Sequence, residues 1–282
     1  MPIRIIIGLT IREAARRRVL WGLLILTIAF LALYALGLGF VHGQIVEHGG
    51  LPRGARRLFS LDDVYNFWLT AALYAANFLI VMMAVLTSVD TLAGEIASGT
   101  IQSIAVKPLR RSDVLLGKWL GFVLILGVYT VVLVGGVIVV TALITGYTPP
   151  HILCGLGLMF LEALALLSVS LLGGTRLSTL ATGVLGFGLF GLAFIGGWIE
   201  QIGSFPGIES EPAVAIGHLA SLVMPSEALW RYALSQVSSG LNPFNLLFAA
   251  SAPPDPGVVG YAAAFTGVML LLATLSFQRR DL

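Results

Sequence analysis

The chain has 282 residues, of which 57% are hydrophobic and 11% charged, and its formal net charge is +2. Soluble domains typically carry about 25% charged residues, so this chain has too few charges to coat a water-exposed surface. The composition therefore predicts an integral membrane protein. It excludes a soluble fold, and the small net charge without a basic stripe excludes a nucleic-acid partner.

Residues 1–18 precede the first apolar stretch, and their pattern predicts a helix that lies in the membrane interface. On a helical wheel one face is apolar, with Ile7, Ile11, Ala14 and Ala15. The other face is charged, with Arg12, Glu13, Arg16 and Arg17. Such a helix buries its apolar face at the lipid boundary and keeps its charges in water. The alternative is a basic topology signal with no further role.

Six stretches are long enough to cross a bilayer core, which needs about 20 apolar residues in a helix. They are Val19 to Val41, Phe67 to Val89, Trp119 to Gly146, Ile152 to Thr175, Leu177 to Ile199 and Gly257 to Gln278. The first one runs for 23 residues without a charge. It is therefore longer than the ~7 to 15 residues of a signal-peptide core and is predicted to be a true span.

The fourth span contains Glu162 near its middle. A carboxylate at this depth costs about 2.5 to 3.5 kcal/mol on insertion scales, and it normally faces a cavity or a partner helix. Glu162 is thus a candidate residue of a translocation path. The alternative is a packing role, in which Glu162 is neutral and hydrogen-bonded to Ser168, Thr141 or Thr145.

The distribution of positive charge predicts the orientation, because cytoplasmic segments retain lysine and arginine. Twelve of the 16 lysines and arginines lie in the N-terminal segment, the second and fourth loops and the C-terminus. The remaining four are Arg53, Arg56, Arg57 and Arg231. Both termini are therefore expected to be cytoplasmic, which agrees with an even number of spans.

Two segments outside the spans stand out. The loop 90–113 interleaves glycine, acids, proline and basic residues, which is typical of a compact knob that docks on a soluble partner; the alternative is an ordinary solvated loop. The segment 200–256 is rich in proline but holds two helix-like stretches, Ala213 to Val223 and Glu227 to Val237. These predict short helices lying on, or dipping into, the outer leaflet.

At the loop 90–113 the sequence resembles the membrane subunits of ATP-binding-cassette (ABC) transporters of the type-2, or ABC-2, exporter class. The matching pieces are Thr10-Ile11-Arg12-Glu13, Gly94-Glu95, Gly99-Thr100-Ile101, Lys107-Pro108-Leu109-Arg110-Arg111, Gly117-Lys118 and the terminal Phe277 to Leu282. The resemblance covers the whole chain by topology. It implies an all-α membrane fold with six transmembrane helices, an N-terminal elbow helix, a cytoplasmic coupling helix and short outer helices before the last span.

The resemblance also implies a role for the loop 90–113, which would contact a separate ATPase subunit. The residues expected at this contact are Asp90, Gly94, Glu95, Gly99, Thr100, Lys107, Pro108, Arg110 and Arg111. The chain itself has no phosphate-binding loop, because Gly117-Lys118 is followed by Trp119 and lacks the spaced glycine that such a loop requires. ATP and Mg²⁺ are therefore expected on the partner subunit, and this chain is expected to be no enzyme, with no catalytic residue, no metal site and no cofactor of its own.

The same resemblance implies that the chain, a single transmembrane domain over residues 1–282, pairs with a second permease copy or a paralogue in the plasma (inner) membrane. Glycines in the spans offer close-packing surfaces for this: Gly127, Gly135, Gly136, Gly183, Gly186 and Gly188. The alternative function is a non-transport membrane scaffold or sensor whose outer segment 200–256 recognises a ligand. Cys154, the single cysteine, lies in an apolar run and is expected to be buried.

Overall fold

The structure is a computed structural model, and it describes residues 2–48, 50, 60–97, 111–205, 207, 209–237 and 254–279. Across these residues the chain forms nine helices and no strand. Six of the helices are long and apolar enough to cross a membrane. The all-α membrane fold with six spans is therefore confirmed.

The six spanning helices form an antiparallel bundle. With helices numbered in chain order from α1 at the N-terminus, the spans belong to α2 (Arg18–Glu47), α3 (Leu61–Ala97), α4 (Arg111–Thr145), α5 (Ile152–Gly174), α6 (Thr179–Gly203) and α9 (Gly257–Gln278). The last matches its predicted bounds. Helices α3 and α4 are longer than predicted because each continues past its apolar core into polar sequence.

The bundle has two ends. One end contains α1, the short α5–α6 turn and the last turn of α9, and we call it the terminal face. We call the opposite end the hairpin face, after the pair of short helices described below. At the terminal face, Leu115 of α4 packs with Ala273 and Phe277 of α9. The hydroxyl groups of Thr175 and Ser276 lie 2.8 Å apart, which ties the α5–α6 turn to α9.

Helix α1 (Pro2–Arg16) is separated from α2 by the single residue Arg17 and packs on the start of α4. Its buried stripe is Ile6, Thr10 and Ala14. The hydroxyl of Thr10 donates to the carbonyl of Ile6 at 2.9 Å, which lets a polar residue enter this contact. Of the predicted apolar face, Ala14 belongs to the buried stripe, whereas Ile11 and Ala15 are exposed, so only part of that face packs within the protein.

A bent pair of short helices precedes the last span. They are α7 (Glu211–Val223) and α8 (Ser226–Val237), and their axes meet at 101°. Helix α7 runs antiparallel to α6, because Ala213 lies beside Gly203 and Ala220 lies beside Gly196. The bend at Met224 and Pro225 therefore lies about 16 Å below the end of α6 at Gly203, because 11 residues separate Ala213 from Met224 and each adds a rise of 1.5 Å. The prediction of two short helices in this segment is confirmed, and their position on or within the outer leaflet stays a prediction. We call α7–α8 the re-entrant hairpin.

Helix α5 lies at the centre of the bundle and packs against α3, α4, α6, α8 and α9. Five of its apolar residues are fully buried: Ala163, Ala165, Leu166, Leu167 and Leu171. By contrast, α2 exposes a stripe of large apolar residues that includes Trp21, Ile25 and Phe40, as expected of a lipid-facing helix. Cys154 is exposed near the start of α5, so the prediction that it is buried is wrong.

Candidate functional site

The centre of the bundle contains a buried polar contact between α5 and α3. Glu162 is fully buried at the middle of α5, and its Oε1 accepts a hydrogen bond of 3.3 Å from Nδ2 of Asn77 on α3. Asn77 is itself only 5% exposed. Two polar side chains thus join the central helix to α3 at mid-membrane depth, where lipid offers no alternative partner.

The predicted packing partners of Glu162 are wrong. Ser168 instead accepts a hydrogen bond from the indole of Trp119 at 3.1 Å, because it faces α4. The hydroxyl of Thr141 pairs with that of Tyr34 at 2.7 Å, and Thr145 donates to the carbonyl of Thr141 at 2.8 Å. These groups join α2, α4 and α5, whereas Glu162 forms its hydrogen bond with Asn77 of α3.

A second carboxylate reaches this region from the re-entrant hairpin. Glu227, in the first turn of α8, is 4% exposed and lies close enough to Glu162 for their charges to interact. Its side chain fits against the backbone of α6 at Gly197, where an added Cβ would lie 2.2 Å from Cγ of Glu227. Glycine at this position is therefore what lets the acid enter.

An ion pair fixes the hairpin to α6. Nη2 and Nη1 of Arg231 donate to the two carboxylate oxygens of Glu200 at 2.8 and 3.2 Å, and both residues are less than 10% exposed. The two-pronged geometry is the one that the planar guanidinium favours. Nε2 of His218 on α7 lies 3.6 Å from Oε1 of Glu200. The His218 side chain is exposed, so it lies between this ion pair and the protein surface.

The hairpin is held at two further points. The ring of Trp230 on α8 meets that of Tyr74 on α3 edge to face, with centroids 4.6 Å apart. The hydroxyl of Tyr261 on α9 donates to the carbonyl of Leu222 near the bend. The hairpin therefore contacts three spanning helices, α3, α6 and α9, through identifiable polar or aromatic groups.

An apolar groove of about 680 Å³ lies between α6 and α7 on the outside of the bundle. Its lining includes Gly188, Gly191, Leu192, Ile195, Ile216 and Val223. A Cβ added to Gly188 or Gly191 would meet nothing within 4 Å. The groove is therefore open at these glycines.

A family model described as "ABC-2 family transporter protein" matches residues 4–282, which is nearly the whole chain. The chain belongs to the ABC-2 transporter family. This confirms the resemblance noted from the loop motifs and makes the chain a membrane permease, a transport component that works with an ATPase subunit. No curated protein shows a significant match to the chain.

The predicted coupling residues of this ABC-2 permease fall at the terminal face or beyond the described chain. Asp90, Gly94 and Glu95 lie in the last eight residues of α3, and Arg111 is the first residue of α4. The other five lie outside the described residues: Gly99, Thr100, Lys107, Pro108 and Arg110. The assignment of these residues to ATPase contact stays a prediction.

We call Asn77, Glu162, Glu200, Glu227 and Arg231 the polar cluster, and the sequence of the permease predicts a site role for Glu162 alone among them. In the sequence, Glu200 and Glu227 belong to the predicted outer segment, Arg231 is one of the four basic residues on the predicted outer side, and Asn77 lies within an apolar span. Glu227 and Arg231 are four residues apart and therefore share one face of a helix, and this spacing could have indicated that both belong to a polar site. A lone asparagine within an apolar span was the corresponding signal for Asn77.

The glycines expected to support dimer contacts divide into two groups. Gly136 lies against Leu31 of α2, and Gly186 lies against Val85 of α3, so these positions serve packing within the permease. Gly127 likewise faces Phe160 of α5. Gly135 and Gly188 have open space beside them and remain available to an outside partner.

Proposed function

We propose that this permease is the membrane subunit of an ATP-driven exporter, in which a separate nucleotide-binding subunit hydrolyses ATP and this chain carries the substrate path. In this proposal the terminal face is cytoplasmic, and both termini lie in the cytoplasm of a cell bounded by the plasma (inner) membrane. Twelve of the 16 lysines and arginines belong to the segments that meet at that face.

The observation that carries the proposal is the continuity of α3. This helix runs without a break from Leu61 to Ala97 and carries Tyr74, Asn77 and Glu95. Glu95 and Asn77 are 18 residues apart, so about 27 Å of helix separates the predicted coupling site from the polar cluster, at 1.5 Å per residue. A displacement applied to the terminal end of α3 therefore reaches the groups that touch Glu162 and the hairpin.

Helix α1 supports the same end of the bundle. An added Cβ at Gly117 would lie 2.7 Å from Cγ2 of Ile6, and one at Gly121 would lie 2.8 Å from Cβ of Thr10. The two helices are thus in close contact where α4 emerges from the coupling segment. A partner that moves the segment between α3 and α4 moves α1 with it.

Glu162 belongs to the translocation path in this proposal, and the path opens when the hairpin separates from α3 and α5. In the present conformation Glu162 is fully buried. The apolar groove and the absence of any ring of charges along the described spans favour an apolar or amphiphilic substrate over an ion.

The experiment that tests the function uses the permease co-expressed with its ATPase subunit. Residues 94–109 are replaced by a flexible linker of the same length, and the control replaces residues 49–58, in the link at the other face, by a flexible linker of their own length. We expect the first variant to insert normally but to lose the ATPase on purification, and the control to retain it. Full retention by the first variant would overturn the proposed coupling.

We further propose that a second permease copy packs on the face that carries Gly188. The open groove and the unfilled space beside Gly188 support this choice. Gly188→Cys in a Cys154→Ser background is expected to form a disulfide-linked dimer, whereas Gly127→Cys, which faces Phe160, is not. Absence of any Gly188 cross-link in fully inserted protein contradicts a homodimer through this face.

A further inference from the structure

The contact between Glu162 and Asn77 is only half satisfied. Oε1 of Glu162 accepts from the Asn77 amide, but Oε2 of Glu162 and Oδ1 of Asn77 are both buried and have no hydrogen-bond partner among the described residues. Both atoms are acceptors when Glu162 is ionised. A buried acceptor without a donor costs about 1 to 3 kcal/mol, and more for a charged group.

The surrounding charges make an ionised Glu162 still less favourable. Arg231, the basic residue of the cluster, directs two hydrogen bonds to Glu200. Glu227, a second buried acid, lies close enough to Glu162 for the two carboxyl groups to repel each other when both are ionised. An ionised Glu162 would therefore be a fully buried anion facing a second acid, an arrangement that low-dielectric surroundings do not support.

Each helix packed on α5 contributes a definite set of groups. From α3 come Asn77 and, nearer to Glu227, Tyr74; from α8 come Glu227 and Arg231; and from α6 comes Glu200. The charged residues of α4, which are Arg111, Asp113 and Lys118, lie in its first turns at the terminal face, and α9 has no charged residue between Gly257 and Gln278. Among the described residues, then, nothing neutralises Glu162.

A single proton on Glu162 can provide a hydrogen bond for both unpartnered atoms, Oε2 of Glu162 and Oδ1 of Asn77. When Oε2 of Glu162 takes a proton from water it becomes an O–H donor, and Oδ1 of Asn77, on the residue that already contacts Glu162, is a buried acceptor that needs one. The acid and the amide then form a cyclic pair with two hydrogen bonds, one in each direction. We propose that Glu162 and Asn77 form a proton-binding site in the centre of the bundle, occupied while the re-entrant hairpin is closed.

The position of Glu227 connects this site to the hairpin. Because Glu227 belongs to α8, any movement of the hairpin changes the charge and the water around Glu162. Closure holds the proton on Glu162, and withdrawal of α8 admits water, which accepts it. This inference does not depend on the proposed export function, because a proton-binding site serves any protein whose hairpin moves.

The experiment records infrared spectra of the purified full-length permease in lipid nanodiscs at neutral pH, and subtracts the spectrum of each variant from that of the wild-type protein. A protonated carboxyl shows a C=O stretching band that a carboxylate lacks. We expect a band in the wild-type protein that is absent from Glu162→Gln, a substitution that keeps the shape and supplies an N–H donor to Asn77. Glu211→Gln, at an exposed acid of α7, is the matched control and should leave that band unchanged.

The result that overturns the proposal is a wild-type spectrum with no band that Glu162→Gln removes, because Glu162 is then ionised. A band from Glu227 does not interfere, since it survives in the Glu162 variant. If Glu162→Gln fails to fold, Asn77→Leu provides the second test. Losing the amide donor to Oε1 should shift the band to higher frequency, and an unshifted band in folded Asn77→Leu also overturns the site.

Discussion

Arg231 of the re-entrant hairpin and Glu200 of α6 form a buried, two-pronged ion pair with N–O distances of 2.8 and 3.2 Å. The pair holds α8 against α6 at the point where Gly197 admits Glu227. It therefore links the hairpin to α6 within the polar cluster.

Arg231→Met should destabilise the closed hairpin strongly, because it leaves Glu200 as an unpaired buried charge. Removing one partner of a buried pair typically costs about 3 to 5 kcal/mol. We expect a clear loss of thermal stability in detergent, measured by intrinsic fluorescence, while Arg279→Ala at an exposed site has little effect. The double variant Arg231→Met with Glu200→Gln should lose less than the sum of the two single changes. Additive losses would show that the pair is not coupled.

Gly217 of α7 packs closely against α6. An added Cβ would lie 2.3 Å from Cβ of Glu200 and 2.9 Å from the carbonyl oxygen of Gly196, so backbone as well as side chain would have to move. Gly217→Ala should therefore destabilise the protein by about 1 to 3 kcal/mol, the usual cost of overpacking.

The matched control is Gly39→Ala on α2, where an added Cβ meets nothing within 4 Å. There the alanine should leave stability unchanged or raise it, because alanine favours a helix over glycine by about 1 kcal/mol. Equal melting temperatures for the two variants would mean that α7 does not pack against α6 as closely as described.

The spanning helices could be predicted from the sequence because a helix that crosses the bilayer needs only an uninterrupted run of about 20 apolar residues, which the sequence displays directly. Gly257 to Gln278 was predicted to the residue, and α7 and α8 were predicted within two residues at their starts. Prolines and charges end these helices by local chemistry, which a single sequence displays.

The polar cluster could not be predicted because its members are far apart in the chain. Asn77 meets Glu162 across 85 residues, and Arg231 meets Glu200 across 31. Such pairings depend on which helix faces which, and this is decided by small residues such as Gly197 rather than by any local motif. Thr10 was missed on α1 for a related reason, since its hydroxyl is satisfied within its own helix.

The orientation of the bundle is open to cysteine labelling in a Cys154→Ser background, which is needed because Cys154 is exposed. Arg279→Cys lies at the terminal face, and Glu211→Cys lies at the hairpin face. The positive charges at the terminal face predict that an impermeant reagent labels Glu211→Cys in intact cells and Arg279→Cys only after lysis. Labelling of both positions from one side would remove the sixth span.

Glu95 provides the sharpest test of coupling, because a subunit without a phosphate loop obtains energy only through contact with one that has it. The segment between α3 and α4 is the longest link at the terminal face, whereas Thr175 to Ser178 joins α5 to α6 in four residues. We therefore expect contact with the ATPase to concentrate there. Loss of a partner for a buried interfacial charge typically costs about 2 to 5 kcal/mol.

Glu95→Ala and Glu95→Lys should thus insert normally but bind the ATPase at least about 30-fold more weakly, the equivalent of 2 kcal/mol, or hydrolyse ATP without transport. The matched control is Glu209→Lys, a charge reversal at an exposed acid near the hairpin face. Affinity is measured by titrating the purified ATPase subunit onto the permease in nanodiscs, and coupling by the ratio of transport to hydrolysis. An equal loss in Glu209→Lys would show that the terminal face has no special role, and wild-type affinity and coupling in both Glu95 variants would remove this residue from the interface.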